Sequence, residues 1–185
     1  PDCRPAPLLN IASTRTYENA LAKQRPPHEL MGRAGLALAR LTLALYPHAR
    51  RLWVACGPGN NGGDALIAAS HLQRWRHARG GGPDLYVSRC PGAGDPPADT
   101  AWALAQARAS GLTIHDAPPD TWDAAIDGLL GIGATRAPSG ALAEHWRALF
   151  MADQPVLCVD LPSGLDADTG QWLMPGDARP APGQP

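Results

Sequence analysis

Cys56-Gly57-Pro58-Gly59-Asn60-Asn61-Gly62-Gly63-Asp64 follows a run that reads as a strand, Arg51 to Cys56. It precedes a segment, Ala65 to Arg79, of helix-forming composition with no proline or glycine inside it. A glycine-rich turn between strand and helix lets a ligand approach bare backbone, and the unpaired N–H groups of the helix start favour an anion. The expectation is a nucleotide or phosphate site. Gly57-x-Gly59-x-x-Gly62 has the form of the dinucleotide fingerprint, which calls for an acidic residue at the end of the next strand to hold a ribose hydroxyl. That strand, Asp84 to Ser88, ends instead in Ser88 and Arg89, and Asp64 places a carboxylate where the pyrophosphate of an ordinary dinucleotide would sit. The loop therefore suggests a nucleotide but argues against a plain dehydrogenase. No Gly-Lys-Ser/Thr follows it, which excludes a P-loop.

Working outward, the units alternate. A first short helix is expected from Ser13 or Thr14 to about Lys23, closed off by Pro26-Pro27. A second runs from His28 to Tyr46, its apolar face marked by Leu30, Ala34, Leu38, Leu41 and Leu45 and expected to pack on a sheet. Past the glycine loop, Gly80-Gly81-Gly82-Pro83 ends the helix, Leu85 to Ser88 is a strand, Pro97 to Ser110 a helix and Leu112-Thr113-Ile114 a short strand. Trp122 to Ile126 reads as a fourth strand, 131–140 as a glycine-containing loop, Leu142, Trp146 and Leu149 as the buried stripe of a helix, and Pro155 to Asp160 as a fifth strand. Apolar strands separated by helices predict a mainly parallel sheet covered on both faces, with ligands beyond the carboxyl ends of the strands. One domain over residues 1–174 and a Pro/Gly-rich tail or linker over 175–185 are expected, with no further strand after residue 174.

Composition narrows the function. The 185 residues carry a net charge of -1 with scattered basic side chains, so nothing forms the basic stripe of a nucleic-acid surface. Even the apolar stretch from Leu36 to Tyr46 is interrupted by Arg40, which argues against a membrane span, and no secretory leader is read at the start. The first residue, Pro1, suggests an end that is processed or cut from something longer. Cys3, Cys56, Cys90 and Cys158 form no Cys-x-x-Cys pair and read as free thiols in a reducing cytoplasm. Lysine occurs once, as Lys23, which leaves Schiff-base chemistry a single candidate, and the dispersed histidines have no metal spacing.

Three predicted strands end in chemically rich loops: 57–64, 127–136 and 160–164. The Asn61 amide oxygen, the Asp127 carboxylate and the Ser163 hydroxyl are oxygen donors suited to a hard cation, and their single formal charge suits a monovalent ion. The same residues equally serve as turn and strand-end hydrogen bonders. Asp160, ending an apolar strand before Pro162-Ser163-Gly164, is placed for acid/base work, for holding a ribose hydroxyl, or for stabilising a turn.

Gly57-Pro58-Gly59-Asn60-Asn61-Gly62-Gly63-Asp64, then Asp127-Gly128-Leu129-Leu130-Gly131-Ile132-Gly133 with Arg136, then Val159-Asp160-Leu161-Pro162-Ser163-Gly164-Leu165-Asp166-Ala167-Asp168-Thr169-Gly170 closely resemble the YjeF N-terminal family of NAD(P)H-hydrate epimerases. The resemblance runs from about Leu8 to Gly170. It implies a Rossmann-like three-layer α/β/α sandwich that interconverts the R and S forms of hydrated NADH and NADPH at C6 of the damaged nicotinamide ring. It implies substrate contacts from Asn60, Asn61, Gly62, Gly63 and Asp64, and from Gly131, Ile132, Gly133, Ala134, Thr135, Arg136 and Ala137. Asp160 would face the reactive end of the substrate as the catalytic residue. Potassium (K+) would be held by Asn61, Asp127 and Ser163. The family further implies a homodimer and an ADP- or ATP-dependent dehydratase, fused or separate, that consumes the S form.

There are departures from the family pattern. Leu30-Met31-Gly32-Arg33-Ala34-Gly35 lacks the family's glutamate after Leu-Met, Ala65 replaces a glycine, and the family's last strand and helix are expected to be missing. Two other functions compete. One is a non-catalytic binding or scaffold module, as in an mRNA-decapping enhancer with a similar domain. The other is an ordinary NAD(P) oxidoreductase.

Overall fold

The computed structural model describes residues 9–174; the tail expected over 175–185 lies outside the described residues. Five strands, β1 (Arg51–Cys56), β2 (Asp84–Arg89), β3 (Ile114–His115), β4 (Ala124–Gly128) and β5 (Val156–Cys158), form one sheet in the order β3-β2-β1-β4-β5. Every pairing is parallel. Five helices accompany them: α1 (Ile11–Ala22), α2 (Glu29–Leu45), α3 (Asn60–Arg79), α4 (Ala98–Ala109) and α5 (Ala141–Phe150).

The layers follow from side-chain alternation along β1. Leu52, Val54 and Cys56 join the core beneath α2, α3 and α4, whereas Trp53 and Ala55 join Trp146, Leu149 and Phe150 of α5 on the opposite face. The result is the expected three-layer α/β/α arrangement. From β1 the chain winds outward to β2 and β3, then returns to lay β4 on the other side of β1. The loops leaving β1 and β4 therefore diverge, and that divergence opens the crevice in which doubly wound sheets bind ligands.

α3 is buried nearly all round, including Ala65, Leu66, Ile67, Ala68, Ala69 and Leu72. It lies against the sheet between α2 and α4, so small residues take the place of a one-sided stripe. The face of α2 that is buried differs from the expected one. Met31, Gly35, Leu38, Ala39 and Thr42 are buried, while Leu41 and Leu45 are 46% and 52% exposed. The reason is that α2 packs on α3 and not on a sheet: a Cβ on Gly35 would collide with Ile67, so the helices cross closely through their small residues.

Element boundaries also shift where the site lies. α3 starts at Asn60, five residues before the expected Ala65, so the second half of the glycine loop is already helix. β4 extends to Gly128, which puts Asp127 inside a strand, beside Ala55 of β1 and Cys158 of β5. β5 ends at Cys158, so Asp160 lies beyond the strand. α1 begins at Ile11, with the Asn10 side chain accepting from the Ser13 N–H at 2.8 Å.

Candidate functional site

The turn after β1 is as tight as a backbone allows. A Cβ on Gly57 would run into the Leu129 carbonyl, and a Cβ on Gly62 into Gly57, so both positions require glycine for close approach. Gly59, extended and without a side-chain cap, leads into the first turn of α3. The N–H groups of that turn have no intrahelical acceptor and face the crevice with the positive end of the helix dipole.

A cleft of about 650 Å³ opens over this helix start. The β1 loop and α3 supply Pro58 to Asn61 and Asp64; the β4 loop supplies Leu129 to Ala134; Asp160 follows β5. Of the residues expected at the site, Asn60, Asn61, Asp64, Gly131, Ile132, Gly133, Ala134 and Asp160 are thus brought together around one cavity. Gly62 and Gly63 are buried behind it, Gly63 against the Met31 side chain. Thr135, Arg136 and Ala137 continue the loop beyond the cleft lining.

Asp160 has φ 63°, one of two non-glycine residues in the left-handed region among the described residues. The Leu161 N–H donates to the Val159 carbonyl at 2.8 Å, closing a three-residue turn around it. Aspartate tolerates this conformation better than most residues, and a strained position at a cleft is a common mark of function. Burial raises the Asp160 carboxyl above the usual carboxylate range, and a hydrogen bond from the Ile132 N–H partly opposes it. Burial first, and then the charges of Asp160, Asp99 and Glu18, push the Asp64 carboxyl from 3.8 up to about 7. Near neutral pH the cleft therefore holds a carboxyl that can give or take a proton.

Behind the cleft, Asp127 is fully buried and accepts from the Ser163 N–H at 2.8 Å, the Ser163 hydroxyl at 2.7 Å and the Leu129 N–H at 3.1 Å. Burial raises its carboxyl, and the Ser163 and Leu129 hydrogen bonds oppose the rise. Ser163 Oγ also accepts from the Leu130 N–H at 2.8 Å, tying the β4 and β5 loops together. The Asn61 side-chain nitrogen donates to the Leu130 and Val159 carbonyls at 3.0 and 3.4 Å, while its Oδ1 is buried without a partner. An orphaned buried amide oxygen, two converging carbonyls, a hydroxyl and a carboxylate make a donor set of oxygens with one formal charge. Asn61 and Ser163 both hydrogen-bond the Leu130 carbonyl and Ser163 also bonds Asp127, so the three lie together, and oxygens of these types with one formal charge are donors that could hold a monovalent cation. Among the described residues no three His, Cys, Asp or Glu side chains gather into a metal-binding group.

Several residues of the cleft carry no site signal in the sequence. Arg15, Glu18, Asn19 and Ala22 of α1 line it, with Leu30, Met31 and Ala34 of α2 and Asp99 of α4. The α1 set recurs at steps of three, one and three, a helical stripe visible in the sequence had its polar face been taken as the inward one. Asp99 had no sequence signal; His28, 2.5 Å away and stacked on Trp102, holds it at the start of α4.

A model described as YjeF-related protein N-terminus matches residues 27–179. An NAD(P)H-hydrate epimerase of Bordetella pertussis (strain CS) is 39% identical over 173 residues, 88% of this chain and 71% of the relative. One of Achromobacter xylosoxidans (strain A8) is 40% identical over 181 residues, 90% and 77% of the two chains. The bifunctional NAD(P)H-hydrate repair enzyme Nnr of Escherichia coli (strain K12) is 34% identical over 146 residues, 77% of this chain and 27% of that one. The crystal structure of yeast ynu0 superposes with a TM-score of 0.75 over 92% of this chain and 76% of that chain, at 19% identity, a likeness of fold. With the three loops converging on one cleft and the family model spanning most of the sequence, the chain belongs to the YjeF-related N-terminal family.

Proposed function

We propose that this chain is an NAD(P)H-hydrate epimerase, an isomerase that interconverts the R and S forms of hydrated NADH and NADPH for nicotinamide nucleotide repair. The observation that carries the reading is the pairing of Asp160 and Asp64, two carboxyls with raised proton affinity, in one cleft at a helix N-terminus. The helix start and the bare glycine backbone suit the phosphates of a nucleotide, and the carboxyls suit the damaged ring.

The stereocentre at C6 bears both a ring nitrogen and a hydroxyl, so its C–O bond breaks readily with the nitrogen lone pair behind it. A protonated Asp160 gives its proton to the departing hydroxyl, which leaves as water, and the ring becomes a cationic iminium. Water then adds at C6 on the opposite face and gives its proton to the second carboxyl of the cleft, Asp64, and proton exchange between the two carboxyls restores Asp160. The substrate is inverted and the enzyme restored. In the alternative route through ring opening, a cleft carboxylate takes the hydroxyl proton as the C6–N bond breaks, the nitrogen side gains a proton, and reclosure on the other face of the aldehyde reverses both transfers. The cleft's carboxylates stabilise the cation, and its walls of Leu30, Met31, Leu129 and Leu130 limit competing water.

Potassium is the cation proposed for Asn61, Asp127 and Ser163, where it would offset the buried carboxylate and fix the loops that carry Asp160. A dehydratase that takes the S form is the proposed downstream partner, the assembly is a homodimer, and the site of action is the cytoplasm. Among the described residues no helix is long and apolar enough to cross a membrane.

The test is direct. Incubation with R-form NADPH hydrate, with and without potassium, should yield the S form above spontaneous exchange, followed by chromatography. Asp160→Asn keeps a side chain that tolerates positive φ and should lower the rate by about 100- to 10,000-fold while still binding the hydrate. Wild-type rates from that variant would remove Asp160 from the mechanism.

A further inference from the structure

α1 lies on the rim of the cleft: Ile11, Thr14 and Leu21 are half-buried, none of its residues is fully buried, and the exposed polar stripe of Arg15, Glu18 and Asn19 borders the cavity. Leu9 and Tyr17, which border α1's other side, are 53% and 64% exposed. A helix that contributes no core and spends its charged side chains on a cavity is placed for what the cavity holds. The charges of that cavity conflict with its ligand. Glu18, Asp64, Asp99 and Asp160 line it, whereas the proposed substrates carry a pyrophosphate. Arg15 is the one Lys or Arg among the lining residues, and its guanidinium lies against Gly133 in the β4 loop, where a Cβ would collide with it. Among the described residues the ion pairs within 4 Å are Arg25–Glu29, Arg33–Glu29, His28–Asp99 and Arg76–Asp84, and none engages Arg15.

We propose that Arg15, delivered by α1 across the cleft from the start of α3, anchors the phosphates of the dinucleotide and so keeps the carboxylates for the ring. This rests on the epimerase reading of the same cleft. Guanidinium forks match phosphate oxygens in pairs, and the N–H groups of the first turn of α3 meet the anion from the other side. Acidic walls then repel the phosphates from the reactive end, which fixes the direction in which the substrate lies. Arg15 is a specificity-determining residue in this arrangement, and proton transfer does not involve it.

The experiment compares the full chain with Arg15→Ala and Arg15→Lys by calorimetric binding of NADPH hydrate and of hydrated nicotinamide riboside, which has no phosphate, and by turnover of the hydrate. Arg15→Ala should weaken NADPH hydrate roughly 10- to 100-fold, the scale of a lost charge-assisted pair, and flatten the salt dependence of binding. Riboside binding should not move, and Arg15→Lys should recover part of the loss. Because the Arg15 side chain is exposed and makes no ion pair with a described residue, the melting temperature should stay at the wild-type value. Equal loss of both ligands, or no loss of either, overturns the assignment of Arg15. Arg15-dependent binding without any turnover supports the anchor and overturns the epimerase reading. A wild-type chain that binds no hydrate overturns both.

Discussion

Asp64→Asn should stabilise the fold while harming the site, by an amount that depends on pH in a defined direction. Burial, Asp160, Asp99 and Glu18 all disfavour the ionised Asp64 carboxyl, moving it from 3.8 up to about 7. Below about pH 4 the carboxyl is protonated in both folded and unfolded chains, and it contributes no difference. As pH rises, the unfolded chain releases the proton first, so the stability present at low pH is lost progressively until the folded group ionises near pH 7. The full loss corresponds to roughly three pH units at about 1.4 kcal/mol each, or about 4 kcal/mol as a ceiling. Asp64 lies past the first turn of α3, so the helix dipole returns little of this. Asparagine has nearly the same volume and no charge. The stability difference between variant and wild type should therefore open from about pH 4, level off above about pH 7, and reach about 2–4 kcal/mol in favour of the variant. Urea unfolding at a series of pH values measures it, and a melting-temperature rise of about 4–16 °C at pH 8 is the thermal counterpart. A difference that is flat across that range, or a variant less stable than wild type at pH 8, would refute the electrostatic account of the cleft.

Two more substitutions probe the scaffold behind the cleft. Ser163→Ala removes the hydroxyl that donates to Asp127 at 2.7 Å and accepts from the Leu130 N–H at 2.8 Å, leaving both partners short in a buried setting. It should cost about 2–3 kcal/mol and lower the melting temperature by about 4–12 °C; an unchanged melt would show that solvent replaces the hydroxyl. Gly131→Ala would set a Cβ 2.8 Å from Asp160 Oδ2 and 3.0 Å from Asn61 Oδ1, so the Asp160 side chain must move. Turnover should fall at least about 10-fold with the melting temperature within a few degrees of wild type, and undiminished turnover would mean that Asp160 works from another position.

The alternation of apolar strands with helices, read from the sequence, led to the parallel sheet, because strands buried on both faces are mostly apolar and most of their crossovers carry helices. Asn61, Asp64, Asp127, Asp160 and Ser163 stood out at strand ends, where loop chemistry is concentrated in such sheets. What escaped the sequence depended on which neighbour an element meets. The stripe of Leu30, Ala34, Leu38, Leu41 and Leu45 is a sound helical pattern, but packing against the Ala- and Gly-rich α3 turned the small-residue face of α2 inward instead. Arg15, Glu18 and Asn19 carry no sequence signal of a site, since nothing local says that the solvent beyond them is a cleft.

By itself the sequence determined the local vocabulary: a turn that only glycine can make, strands that are mostly apolar, and carboxylates and amides placed where strands stop. Only the tertiary structure decided how those pieces bear on one another, because proton affinity and anion attraction depend on distances between groups far apart in the chain. Asp64 is an ordinary carboxylate in the sequence; the approach of Asp160, Asp99 and Glu18 and the burial of the cleft turn it into a group that holds its proton near neutral pH.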